Sequence, residues 1–111
     1  PGVLIASEAL FQRTAKLPRV EICKPEKIIG NSTVSSIKSG LYYGYIDLGD
    51  GILKRMLEEI PGAKVTATGG LANMIGKSSE YIQEIDPNLT LDGLYHFYRR
   101  CQKLTGMETT E

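Results

Sequence analysis

A long run of regularly spaced apolar residues, ending before Pro61, constrains the fold more than any other feature of this sequence. Apolar side chains recur every three or four residues, the spacing of one helix face, at Val34, Ile37, Leu41, Tyr45, Leu48, Ile52 and Met56. Asn31, Ser32 and Thr33 precede the run and are residue types that cap helix N-termini. The pattern predicts a helix from about Thr33 to Ile60, which is long for a chain of 111 residues.

A second stripe, made of small residues, accompanies the apolar one along this predicted helix, at Ser36, Gly40, Gly44 and Gly51. Each glycine weakens an exposed helix by about 1 kcal/mol relative to alanine. The stripe therefore predicts close approach of another backbone, either from the same chain or from a partner. The alternative is a helix that breaks near residues 49–51.

The rest of the chain mixes helical and extended patterns. Helices are predicted at residues 2–16, before Pro18, and at 91–104, after Thr90, with a polar tail at 105–111. Short extended segments are predicted at 19–23, 28–29, 63–68 and 81–85. The sequence as a whole predicts one small α/β domain.

Two places are candidate binding positions. Gly69 and Gly70 follow a β-rich run and precede a predicted helix at 71–75, the layout of a backbone-lined nucleotide site. A tight turn after the strand is the competing interpretation. The Thr33 hydroxyl either caps the long helix or faces a polar ligand, and local spacing is compatible with both.

Charge and composition exclude several classes. Thirteen basic and 13 acidic residues without a block of like charge argue against nucleic-acid binding through phosphates. No apolar run approaches the ~20 residues of a membrane span. Cys23 and Cys101 are the only cysteines and are far apart, which suits a reducing cytoplasm. His96 lies among aromatics, and no acidic pair is placed for acid–base work; no catalytic set and no metal site are predicted in this chain.

Four motifs occur in order along the chain: ALFQRTAKLPRVE, IIGNSTVSSIKSGLYYGY, ATGGLA and DPNLTLDGLYHFYRR. Together they resemble the C-terminal lobe of type III pantothenate kinases over nearly the whole length. The resemblance implies a ribonuclease-H-like α/β lobe of the acetate and sugar kinase, Hsc70 and actin superfamily. Residues 1–111 are then expected to be one lobe of a two-lobed kinase, with the N-terminal lobe outside this chain, and Pro1 and Gly2 are expected to end a glycine-rich segment that leads into it.

The same resemblance implies a reaction and its participants. The expected activity is ATP-dependent phosphorylation of pantothenate to 4'-phosphopantothenate, the first step of coenzyme A biosynthesis, by a cytoplasmic homodimer. ATP is expected to carry Mg²⁺, and a monovalent cation, K⁺ or NH₄⁺, is expected as well, both with ligands outside this chain. Because the catalytic aspartate also belongs to the other lobe, the chain alone is expected to be inactive.

Residue roles follow by the same resemblance. Thr33 is expected to contact pantothenate from the neighbouring subunit, and the helix Thr33–Ile60 to form the dimer. The residues expected beside the adenosine of ATP are Thr68, Gly69 and Gly70. Ser32 departs from the family pattern, in which Asn often precedes the threonine. The alternative function is a non-catalytic dimerisation or regulatory module of the same superfamily.

Overall fold

The computed structural model describes residues 2–106. In chain order they form α1 (Val3–Gln12), α2 (Thr33–Glu59), β1 (Thr66–Ala67), α3 (Ala72–Gly76), β2 (Glu84–Ile85) and α4 (Leu89–Thr105). The predicted mixture of helix and strand is confirmed. The expectations for Pro1 and for tail residues 107–111 lie outside the described residues.

The long helix is the central element, and its predicted bounds are confirmed to within one residue. Ser32 is the N-cap: its Oγ accepts from the Ser35 N–H at 3.1 Å, and the Ser35 Oγ accepts from the Ser32 N–H at 2.9 Å. This reciprocal pair is a capping box, which satisfies two N–H groups at the helix end. The helix continues through residues 49–51, so the alternative of a break there is wrong.

One face of α2 packs against the rest of the chain. Ser39, Tyr42 and Ile46, spaced by three and four residues, are buried. Tyr42 and Ile46 are only 3% and 4% exposed. The Ser39 hydroxyl donates to the Ile28 carbonyl, which ties the preceding coil to the same face.

The two strands and the helix between them form a β–α–β unit. β1 and β2 pair in parallel, with Thr66 opposite Glu84 and Ala67 opposite Ile85, and parallel pairing requires a crossover connection such as α3. Gly76 fits closely beneath β2, because a Cβ there would lie 2.9 Å from the Ile85 Cδ1. Both strands are shorter than the predicted segments at 63–68 and 81–85.

The first 30 residues depart most from the prediction. α1 ends at Gln12, four residues early, because the Thr14 hydroxyl donates to the Leu10 carbonyl at 2.5 Å and takes the acceptor that its own N–H would use. Residues 19–23 and 28–29 are irregular, without a strand partner among the described residues. Arg19 instead returns to α1, 2.7 Å from Glu8 and 4.4 Å above the ring of Phe11.

α4 begins earlier than predicted and buries none of its residues against the described chain. Asn88, not Thr90, occupies the N-cap position, without a side-chain cap. Its predicted apolar face is therefore present but uncovered, with Leu94, Phe97 and Tyr98 each more than half exposed. The helix extends to Thr105, one residue into the segment predicted as tail, and Gly106 ends it at φ 68°.

Candidate functional site

The loop at residues 68–70 leaves the end of β1 and turns directly into α3. Gly69 has φ 103°, a conformation that residues with a Cβ rarely adopt. Its carbonyl accepts from the Ala72 N–H at 3.1 Å, which closes the turn. Thr68, Gly69 and Gly70 are all exposed, so this loop presents backbone to solvent where the sequence predicted it.

A cavity of about 400 Å³ adjoins this loop. Its walls come from the end of β1, the glycine loop, α3 and one residue that precedes β2. The lining residues are Ala67, Thr68, Gly69, Gly70, Leu71, Ala72, Ile75, Gly76 and Ile82. Most of these side chains are apolar or absent, as in many small-molecule sites. A Cβ on Gly70 would meet no described atom within 4 Å, so packing within residues 2–106 does not demand a glycine there.

Thr33 is the first residue of α2 and is exposed. Since Ser32 is the cap, the capping interpretation of Thr33 is wrong. Within the described residues its hydroxyl makes no hydrogen bond, which leaves it available to a ligand. Thr33 does not line the glycine-loop cavity, so the structure does not bring these two candidate positions into one pocket of this chain.

The apolar stripe read from the sequence lies mainly on the side of α2 that the described chain leaves open. Val34, Leu48, Ile52 and Met56 are between 42% and 56% exposed. Of the other three residues of the stripe, Leu41 is buried, and Ile37 and Tyr45 are half-buried. We call the four exposed side chains, with the glycines beside them, the open face of α2.

The open face includes the small-residue stripe. A Cβ at Gly40, Gly44 or Gly51 would meet nothing within 4 Å among the described residues outside the helix's own backbone. Close approach within the chain, one of the two origins predicted for this stripe, is therefore wrong for Gly40, Gly44 and Gly51. At Ser36 it is confirmed, because a Cβ on Gly30 would lie 2.5 Å from the Ser36 nitrogen. A partner backbone is the origin that stays open.

Two polar residues of α2, Tyr42 and Asp50, hydrogen-bond to α3 and to the segment that follows it. The Tyr42 hydroxyl lies 2.6 Å from the Ser78 Oγ and 3.5 Å from the Met74 carbonyl oxygen. Asp50 accepts from the Ser79 hydroxyl and from the Glu80 N–H. These partners are about 30 residues away in sequence, so no local pattern indicates them.

No group of three His, Cys, Asp or Glu side chains between residues 2 and 106 is placed to hold a metal ion. The expectation that the ligands of Mg²⁺ and of a monovalent cation lie outside this chain stays a prediction. Over the same residues, no helix has the length and apolar character needed to cross a membrane.

Comparison with known proteins relates the chain to one family. Residues 1–55 match the family model described as type III pantothenate kinase. A curated protein named type III pantothenate kinase, from Koribacter versatilis (strain Ellin345), is 54% identical over 106 residues, which cover 95% of this chain. The chain spans 39% of the length of that relative and corresponds to its C-terminal portion. On these matches, the chain belongs to the type III pantothenate kinase family.

Proposed function

We propose that this chain is the C-terminal, ribonuclease-H-like lobe of a two-lobed kinase that transfers the γ-phosphoryl group of ATP to pantothenate, giving 4'-phosphopantothenate for coenzyme A synthesis. The observation that carries the proposal is the 54% identity, over 95% of the chain, to a relative named type III pantothenate kinase. A cytoplasmic location agrees with Cys23 and Cys101 both being free thiols.

The glycine-loop cavity is the proposed adenosine site. Its size, about 400 Å³, falls in the range of small-molecule pockets, and its apolar lining suits a purine face. Gly69 turns the backbone at φ 103°, while Gly70 keeps the loop free of a side chain where the base would lie. Thr68 adds a hydroxyl at the exposed rim.

The open face of α2 is the proposed homodimer interface. Its side chains are apolar and uncovered by the described chain, and its open glycines would let a partner helix come close. Pairing through α2 would carry Thr33, at the start of that helix, to the edge of the neighbouring subunit. We therefore assign the free Thr33 hydroxyl to the pantothenate pocket of the partner.

Phosphoryl transfer depends mainly on positioning and electrostatics, and this lobe contributes the positioning. The glycine loop would orient ATP from one side, and Thr33 would orient the second substrate from across the dimer. Mg²⁺ and a monovalent cation would offset phosphate charge, and we assign their ligands to the rest of the intact protein. The general base is likewise assigned to the rest of the intact protein. The chain alone should therefore not phosphorylate pantothenate.

The test compares two purified proteins. One is the 111-residue chain, and the other is the intact protein, which includes this chain and has the full length of its relative. We expect pantothenate-dependent ADP release from the intact protein and none from the chain. Turnover by the isolated chain would contradict the assignment of the base. An intact protein that dimerises without phosphorylating pantothenate would instead support the non-catalytic module.

A further inference from the structure

A hydrogen-bonded turn joins α2 to the wall of the glycine-loop cavity. Asp50 lies on the side of α2 that faces the chain and is partly buried. Its Oδ1 accepts from the Ser79 hydroxyl, and its Oδ2 accepts from the Glu80 N–H at 2.9 Å. Both carboxylate oxygens thus accept hydrogen bonds, one from each of two consecutive residues. This restrains the position and the orientation of the turn.

Ser79 extends this restraint toward the cavity. Its Oγ accepts from the N–H groups of Tyr81 at 3.2 Å and of Ile82 at 3.1 Å, while its proton goes to Asp50. The hydroxyl therefore makes three hydrogen bonds at once. Without the carboxylate, its rotation would no longer be fixed and the two N–H bonds would loosen.

Ile82 is where the turn reaches the cavity. Ile82 lines the cavity together with the glycine loop, and its Cγ2 would lie 3.6 Å from a Cβ on Gly76 of α3. Immediately afterwards the Gln83 N–H bonds the Val65 carbonyl at 3.0 Å, beside the start of the parallel pair. The position of Ile82 is therefore determined by Ser79 on one side and by the sheet on the other.

We infer that Asp50 is a positioning residue for the purine of ATP, acting through Ser79 to hold Ile82 against the glycine-loop cavity. The inference rests on the proposed function for the identity of the ligand, but it adds a residue on α2, outside the cavity, that determines the shape of its wall. It also connects α2 to the proposed nucleotide site, while the other side of the same helix forms the open face. Asp50 touches neither substrate in this arrangement.

The experiment measures MgATP dissociation constants by calorimetry on the intact protein, with pantothenate turnover recorded separately. Asp50→Ala and Ser79→Ala should each weaken MgATP binding by about 2- to 30-fold, the size of effect found for residues that act through others. The double variant should lose no more MgATP affinity than the weaker-binding single variant, because both changes remove the same Asp50–Ser79 hydrogen bond. The Michaelis constant for pantothenate should not change.

Glu80→Ala is the matched control, since it removes a carboxylate from the same turn and keeps the N–H that Asp50 accepts. It should bind MgATP as the parent does. If Asp50→Ala fails to fold, Asp50→Asn, which keeps one acceptor oxygen, should show a smaller loss of the same kind. Unchanged MgATP affinity in folded Asp50 variants would overturn the inference. It would also be overturned if the affinities for ATP and for pantothenate fell equally and in proportion to the drop in melting temperature, because that pattern indicates general destabilisation.

The wild-type protein separates this inference from the proposed function. MgATP binding without pantothenate phosphorylation would refute the proposed reaction while the Asp50 comparison still decides the positioning role. Absence of MgATP binding by the wild-type protein would overturn both.

Discussion

Thr33 is a residue whose structural and functional roles can be separated, because Ser32 already caps α2. Thr33→Ala should change the free energy of unfolding by less than about 0.5 kcal/mol. The Michaelis constant for pantothenate should rise by about 5- to 150-fold, the equivalent of a buried hydrogen bond of about 1–3 kcal/mol. Steady-state kinetics of the intact protein and thermal melts measure the two effects.

Ser32→Ala is the matched control one position earlier. It removes the cap, so it should cost about 1 kcal/mol of stability and leave the pantothenate constant unchanged. A Thr33 variant that loses stability like the Ser32 variant, with normal pantothenate kinetics, would show that Thr33 serves the helix and not the substrate.

The two glycines of the cavity loop should respond differently to alanine. Gly69→Ala places a Cβ at φ 103°, so it should lower the free energy of unfolding by about 1–3 kcal/mol. Gly70→Ala meets no described atom and should preserve stability, but its methyl group would occupy the proposed purine position and raise the Michaelis constant for ATP. Normal ATP kinetics in a Gly70→Ala protein would argue that the loop is only a turn.

Among the elements, α2 makes the sharpest prediction, because its open face has no cover in the described chain. Gly40→Leu and Gly44→Leu should each shift the intact protein from dimer toward monomer in sedimentation velocity, since a leucine would keep a partner helix away. Leucine favours helix more than glycine does, by about 0.8 kcal/mol, so unfolding should not explain the loss.

Gly93→Leu provides the comparison for these variants, because it makes the same change at an open glycine of α4. It should sediment like the parent protein. If the Gly40 and Gly44 variants also remain dimeric, the stripe does not mark the interface.

The elements also show which parts of the fold the sequence could predict. α2 was predictable because its apolar spacing continues from Val34 to Met56, and because its cap and Pro61 lie next to it in the sequence. The strands were not, since a two-residue strand such as Thr66–Ala67 is defined by its ladder partner 18 residues away. The buried face of α2 was also missed, because Tyr42 and Ile46 form a second apolar row beside the more regular one, and periodicity alone does not tell which row the chain covers.

The candidate site was predictable only where its signal is local. Gly69 and Gly70 stand next to each other after a β-rich run, and the structure puts them at a cavity. Ile82 and Asp50 contribute through contacts that span a dozen to 30 residues. Such contacts exist only once α2, α3 and the parallel pair have packed together.

The whole molecule is elongated, with extents of 63 × 34 × 21 Å and a radius of gyration of 19.4 Å, against about 13 Å for a compact chain of about 100 residues. Its buried apolar core consists, within the described residues, of Val3, Leu41, Tyr42, Ile46 and Ala72. Apolar faces on α2 and α4 are both uncovered. These uncovered faces agree with the proposed homodimer, in which a second subunit would cover the open face of α2.

Mixed dimers test whether a complete site requires two subunits. One subunit would carry an inactivated general base and a normal Thr33, and the other a normal base and Thr33→Ala. If Thr33 serves the neighbouring site, the second subunit has its own base and receives the first subunit's threonine, so the mixed dimer should retain about half the wild-type turnover. If Thr33 serves its own subunit, neither site has both groups and turnover should fall to the level of the Thr33→Ala protein or below. The mixed dimer can be isolated by giving the two subunits different tags and purifying over both, and it is assayed with saturating ATP and limiting pantothenate. These outcomes can be distinguished because each homodimer alone is impaired. Only a Thr33 supplied across the interface restores a working site.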